Sequence, residues 1–195
     1  MYINIDGRKI IKGIIIVIPI LILIILFFTS GIYKNVLRFI YKTEYSQYVE
    51  KYSTQYNVDT NLVYAVIKAE SNFDANAESG KGAVGLMQLM ENTAKDVIKQ
   101  IDIETGSKTI EEILLDPELN IKIGTKYLSI LLNMYNNVEL AVTAYNAGIG
   151  TVDNWIEKGI IKADGSDVEN IPYLETNNYT RKILRDYNIY TNILQ

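Results

Sequence analysis

The chain has 195 residues, a formal charge of −4 and an apolar share of 48%, and it contains neither His nor Cys. That composition excludes a disulfide framework, a thiolate nucleophile, a Ser-His-Asp triad, and haem or zinc sites built on those two residue types, so acid–base work falls to Asp, Glu, Lys or Tyr. The charge is unevenly divided: residues 1–44 carry six basic and two acidic side chains, and the remaining 151 carry 13 and 21. An acidic domain without a basic run argues against nucleic acid as a partner.

The first element in chain order is apolar. From Gly13 to Phe28 sixteen residues carry no polar or charged side chain, and extension to Tyr33 gives 21, close to the ~20 that span a bilayer as a helix. Pro19 would kink that helix, which lipid-embedded helices tolerate. Residues 13–33 are therefore expected to be a transmembrane signal-anchor after a cytoplasmic segment 1–12. Arg8, Lys9 and Lys12 favour that orientation, whereas Lys34, Arg38 and Lys42 counter it. The alternative is a signal peptide cleaved after Thr29-Ser30-Gly31, with secretion of the rest. Either way, the remainder of the chain is exported.

A juxtamembrane helix or linker is expected at 34–49, continuing helically to Tyr56. Tyr45, Tyr48, Tyr52 and Tyr56 recur at spacings of three and four, a stripe that suits packing on the following domain better than a ligand surface. That domain should occupy 50–195. Asp59 and Thr60 can cap an amphipathic helix carrying Leu62, Val63, Val66 and Ile67 as far as Glu70. The stretch from Asn72 to Gly85 has the small polar residues and glycines of a loop or short hairpin. Further helices are expected at 92–101, from Asp116-Pro117 through Leu132, at 138–147 with Gly148 as a stop, at 152–157, and at 178–193 after a polar loop at 163–170. No stretch alternates long enough for a central sheet, so the fold class is mostly α.

Glu70 is the first candidate for chemistry. Val63, Ile67 and Glu70 lie at i, i+4 and i+7, which extends an apolar stripe to a carboxylate at a helix C-terminus. Burial and the helix dipole would both raise its pKa, as a general acid requires. Periodicity alone leaves open a Glu turned to water. Two nearby patterns mislead. Gly80 to Gly85 spells G-x-G-x-x-G but follows a helix and loop instead of a strand, and Asp74, Asn76 and Glu78 resemble a calcium loop without its closing Glu.

Four ordered blocks carry a family resemblance: Glu70-Ser71; Gly85-Leu86-Met87-Gln88 with Met90; Ala144-Tyr145-Asn146-Ala147-Gly148; and Glu175-Thr176 with Tyr179. In this order they resemble the catalytic domain of soluble lytic transglycosylases, over roughly residues 50–192, and Asn120 through Leu128 fits as well. Ala75, Glu91 and Ile149 stand where the family usually has Pro, and Asn177 where Arg is common.

The resemblance implies a helical domain with a short β-hairpin, like goose-type lysozyme, that cuts the β-1,4 bond between N-acetylmuramic acid and N-acetylglucosamine and leaves a 1,6-anhydro ring. Glu70 would be the only catalytic group, acid first and base second. Ser71, Ser79, Gln88, Met90, Tyr145, Asn146, Glu175 and Tyr179 would bind substrate. Within that set Gln88 and Met90 would form a floor, Tyr145 would bond the acetamido group or Glu70, and Glu175 would orient Tyr145 or sugar hydroxyls. No cofactor or metal is expected. The partners implied are peptidoglycan strands, the membrane through the N-terminal helix, and an unidentified envelope machinery. A hydrolytic muramidase would need a second carboxylate, for which Asp74 and Glu78 are the nearest in sequence. A non-catalytic glycan-binding assembly factor would have no use for Glu70.

Overall fold

The computed structural model of the protein describes residues 7–103 and 106–193, with side chains described from Ile15 to Asn192. The chain divides into two compact units between Tyr41 and Lys42.

In the first unit α1 covers Gly7–Thr29 and α2 covers Ile32–Ile40. Every side chain from Ile15 to Ser30 is exposed. The expected single span of 13–33 is broken. Gly31 takes φ 75° as the residue before α2, a left-handed turn that glycine adopts without strain. Thr29 and Ser30 turn their hydroxyls back onto the Ile25 and Phe27 carbonyls. Among the described residues no single helix is long and apolar enough to cross a membrane; Ile15–Thr29 and Ile32–Ile40 meet that length and composition only together, with a 66° bend.

The helix expected from 34 to 56 is also two helices, since α3 begins only at Ser46 and ends at Tyr56. Tyr45 precedes α3 with φ 59° and so leaves the tyrosine stripe. Tyr52 is buried and donates to Glu118 Oε1 at 2.7 Å, and its ring stacks on Tyr56 with centroids 6.3 Å apart. The stripe therefore packs against the long helix at Pro117–Tyr135, as its period suggests.

α4 (Thr60–Glu70) is capped by Asp59, whose side chain accepts from the Asn61 N–H. Leu62 to Ile67 are all buried, so the expected amphipathic helix is instead a central one, enclosed by α3 and the last helix, Leu174–Ile193. Its C-terminal end, Lys68 to Glu70, is half-buried. After a loop come β1 (Ala83–Val84) and β2 (Leu89–Met90), antiparallel with Ala83 opposite Met90. The hairpin turns through Gly85 to Gln88, later than the glycine-rich stretch suggested.

Two glycines are required by this hairpin. Gly85 has φ 79°, and a Cβ there would collide with the Asn120 side chain and the Leu114 carbonyl; a Cβ on Gly124 would collide with Met87. Asn120 is fully buried and gathers three chain segments: its Oδ1 accepts from Met87 N–H at 2.8 Å, and its Nδ2 donates to Val84 and Leu114 carbonyls.

The rest of the domain is helical: α5 (Glu91–Ile98), α6 (Ile110–Leu115), α7 (Pro117–Tyr135), α8 (Val138–Ala147), α9 (Ile149–Glu157), a 3-10 turn at Val168–Asn170 and α10 (Leu174–Ile193). Asp116 accepts from Glu118 and Leu119 N–H groups with Pro117 in the first turn, and Asn137 caps α8 through Leu140 N–H. α6 was not expected, although Thr109 and Glu112 form a reciprocal capping box. α5 stops three residues short of the expected 101. α9 and α10 begin earlier than expected, α10 by a turn, because Asn177 is held by the Tyr173, Val168 and Glu169 carbonyls. Leu131, Leu140, Ala144, Val152 and Trp155 form a core beneath α7, α8 and α9, while α10 packs on α4 and α8.

Candidate active site

The hairpin and its preceding loop form one wall of a cleft of about 380 Å3, and the end of α8 with the start of α10 forms the other. Glu70, Ser79, Gln88, Met90, Tyr145, Asn146 and Glu175 all line it. Ser71 and Tyr179, also expected to bind substrate, do not. The Ser71 hydroxyl lies 2.8 Å from the Leu86 carbonyl and 3.2 Å from that of Ile67, so it ties the α4 end to the hairpin. Tyr179 touches Glu70 instead: its hydroxyl donates to Oε1 at 2.5 Å.

Glu70 is the last residue of α4 and sits partly buried. Burial pushes its pKa from the ordinary 4.5 up to about 7, against the opposing Tyr179 hydrogen bond and the Lys182 charge. Lys182 is a cation that the sequence around Glu70 does not reveal. It comes from α10 and donates to the Ala69 carbonyl at 3.1 Å. Tyr145 donates its hydroxyl to the Met87 carbonyl at 2.8 Å; burial, then the Glu70 charge, raise its pKa well above the usual phenol range. It is a neutral phenol with oxygen lone pairs left to accept.

The other lining side chains hold their own walls. Gln88, at φ 45°, donates its amide to the Ala77 and Gly85 carbonyls, so its acceptor oxygen is the end left for a ligand. Ser79 Oγ accepts from the Lys81 and Ala83 N–H groups and retains its own proton to donate. Thr176 donates to Asn146 Oδ1 at 2.8 Å, which leaves the Asn146 NH2 as a donor. Glu175 does not orient Tyr145; it is exposed and meets Lys81 Nζ at 3.4 Å across the two walls. Lys81, Ala83, Ala147, Tyr173 and Thr176 complete the lining. Of these, Ala147 and Thr176 carried a signal in sequence, through their blocks with Asn146 and Glu175. Tyr173 stands edge-on to Trp155 with centroids 5.0 Å apart, an apolar face at the rim. Among the described residues no group of three or more His, Cys, Asp or Glu could hold a metal ion.

Chemically, the cleft offers one carboxyl group that is half protonated near neutral pH, held by a phenol and flanked by amide and hydroxyl groups. A mostly helical domain with a two-stranded hairpin and one such acid at the end of its central helix has the lysozyme-like fold. The family model for the transglycosylase SLT domain matches residues 47–165. The chain belongs to that family.

It is 34% identical over 142 residues to the soluble lytic murein transglycosylase of Escherichia coli (strain K12), covering 72% of this chain and 22% of that protein. It is 38% identical over 117 residues to the membrane-bound lytic murein transglycosylase C of Serratia proteamaculans (strain 568), covering 56% and 32%. An X-ray structure of an inactive mutant of the lytic transglycosylase Slt from Pseudomonas aeruginosa matches 81% of this chain and 25% of its own, with a TM-score of 0.73 at 32% identity. The alignments thus span a fifth to a third of these relatives' length.

Proposed function

We propose that the chain is a peptidoglycan lytic transglycosylase that cleaves the β-1,4 bond between N-acetylmuramic acid and N-acetylglucosamine. Glu70 protonates the glycosidic oxygen as the C1–O bond breaks. The cationic C1 is sheltered by the substrate's own acetamido oxygen. The Glu70 carboxylate then takes the proton from the C6 hydroxyl as that oxygen bonds to C1, closing the 1,6-anhydro ring without water. The observation that carries this reading is a single near-neutral carboxyl group in the cleft, bonded by Tyr179. Ser79, Gln88, Met90, Tyr145, Asn146 and Glu175 bind the sugars, Tyr179 positions the acid, and Ser71 supports its helix.

Hydrolysis by a muramidase is less well supported. Asp74 is engaged with the Asn76 N–H and Glu78 lines a different groove, while the second cleft carboxylate, Glu175, is exposed beside Lys81. Mass spectrometry of muropeptides released from purified sacculi tests the reading. Anhydro-muramyl products are expected from the wild type and none from Glu70→Gln; reducing-end products would make the enzyme a muramidase.

The apolar run at 13–33 serves in this proposal as an uncleaved export signal and anchor, with residues 1–12 cytoplasmic and 50–195 the catalytic domain outside the membrane. The likeness to a relative named membrane-bound supports it, as does the joint length of the bent helix pair.

A further inference from the structure

The break at Gly31 gives the apolar unit a second helix with two unlike sides. At the helical repeat, Ile32, Tyr33, Val36, Leu37, Phe39 and Ile40 of α2 fall within one arc of roughly 160°, and Lys34, Asn35 and Arg38 occupy the rest. Ile32, Val36, Phe39 and Ile40 are exposed, and α2 contains no acidic residue.

The bend decides where those sides point. α2 turns by 66° from the end of α1, so it carries the chain only about 5 Å further along the α1 axis. As the second arm of a span it adds little depth, and it would bring Lys34 and Arg38 towards hydrocarbon that disfavours them. With α1 at the tilt of about 20° usual for a span, the same bend can lay α2 nearly parallel to the bilayer. Tyr33 meets Phe28 of α1 with ring centroids 5.6 Å apart, and Leu37, one turn further on, is half-buried like Tyr33. The side of α2 turned towards α1 therefore belongs to the apolar arc, and Lys34 and Arg38 turn away from it. A bilayer crossed by α1 lies on that same side, so the bend aims apolar groups at acyl chains and cations at headgroups.

We infer that α2 lies in the headgroup layer of an anionic membrane surface, with Val36 and Ile40 among the upper acyl chains and Lys34 and Arg38 against lipid phosphates. Helices of this kind bind through apolar area plus attraction to anionic lipid. Tyr33, an aromatic ring with a polar tip, suits the same depth. Nine residues bind weakly as a free peptide, but joined to α1 the helix meets the surface at high effective concentration. Only Tyr41 separates α2 from the catalytic unit that begins at Lys42, so a helix held on the surface keeps that unit beside the membrane. The inference rests on the membrane attachment proposed above and adds the lipid class and the place of α2.

The test places the full chain in vesicles of phosphatidylcholine and phosphatidylglycerol, with an environment-sensitive fluorophore on one introduced cysteine at a time, since the sequence has none of its own. Nitroxide lipids labelled at known depths locate each site by quenching. Val36→Cys and Ile40→Cys should be quenched alike by the shallow nitroxide and little by the deep one, and Asn35→Cys, on the polar side, by neither. At equal mole fraction, nitroxide-phosphatidylglycerol should quench Val36→Cys at least about twofold more than nitroxide-phosphatidylcholine, and adding Lys34→Gln with Arg38→Gln should abolish that difference. Leu23→Cys, within α1, reports the anchor separately and should be quenched by the deep nitroxide. The inference is overturned if Val36→Cys and Ile40→Cys stay unquenched, or if depth changes steadily from residue 35 to residue 40, as a continuous span demands. It is also overturned if the anionic preference is missing or survives the loss of both cations. A deep Leu23→Cys label with α2 labels in water would overturn this inference and leave the anchor standing. An unquenched Leu23→Cys label beside lipid-buried Val36→Cys and Ile40→Cys labels would overturn the anchor and leave α2 as a surface helix.

Discussion

Glu70 makes the residue-scale chemistry testable through pH. Its pKa in the fold is about 7 against an ordinary 4.5, so the folded protein holds this proton more tightly than the unfolded chain. Stability linked to it is full below about pH 4.5, declines as pH rises towards 7, and is constant above that; the loss is at most ~3 kcal/mol. Glu70→Gln removes the titration, so melts across pH 4 to 8 should show the mutant gaining on wild type as pH rises. A mutant that instead falls behind would make Glu70 an ion-pair partner of Lys182 and deprive the acid assignment of its basis. In the proposed reaction the protonated acid is the working form, which predicts an alkaline limb near pH 7 in kcat/KM. Tyr179 donates to the charged carboxylate and so lowers its pKa. Tyr179→Phe should therefore move that limb to higher pH, and a limb that stays in place would leave Tyr179 with no part in tuning the acid.

At the scale of elements, the hairpin depends on α7. Asn120→Ala would leave the Met87 N–H and the Val84 and Leu114 carbonyls without their buried partner. At 1–3 kcal/mol for each such group, a loss of about 3 kcal/mol or more is expected in denaturant melts. Gly124→Ala should cost about 1–3 kcal/mol by overpacking against Met87, and it should also lower activity, because Met87 carries the carbonyl that holds Tyr145. Thr109→Ala removes the α6 capping box and should cost about 1 kcal/mol with little effect on turnover. Equal losses of activity in all three variants would mean that the cleft answers to global stability rather than to the hairpin's seat on α7.

At the scale of the whole molecule, the proposed role of the apolar unit is to hold the catalytic domain at the membrane. As an uncleaved anchor it predicts a mature protein that starts at Met1 and stays with membranes in high salt, since hydrophobic insertion is not screened as surface charge attraction is. N-terminal sequencing and fractionation measure both. A soluble form beginning near Ile32 would show that export used a cleavable signal instead.

The sequence by itself determined the features that depend on near neighbours in the chain. Asp59, Asp116 and Gly148 marked helix ends because capping and helix termination are local, and the Val63–Ile67–Glu70 spacing made Glu70 a candidate without deciding between a cleft and water. Its ordered blocks also named most of the cleft lining. Spacing within one helix could not say what lies across from a face. Leu62 to Ile67 of α4 are all buried because α3 and α10 both pack on it, and no pattern within α4 distinguishes that from a half-exposed helix. Tyr179 lies 109 residues from Glu70, and Lys182 reaches the same helix end from the next turn of α10. Whether a side chain within those blocks touches sugar or another side chain was decided by such contacts. Ser71 faces Leu86 and Tyr179 faces the acid because packing set those directions, and packing forms only when distant segments of the chain meet.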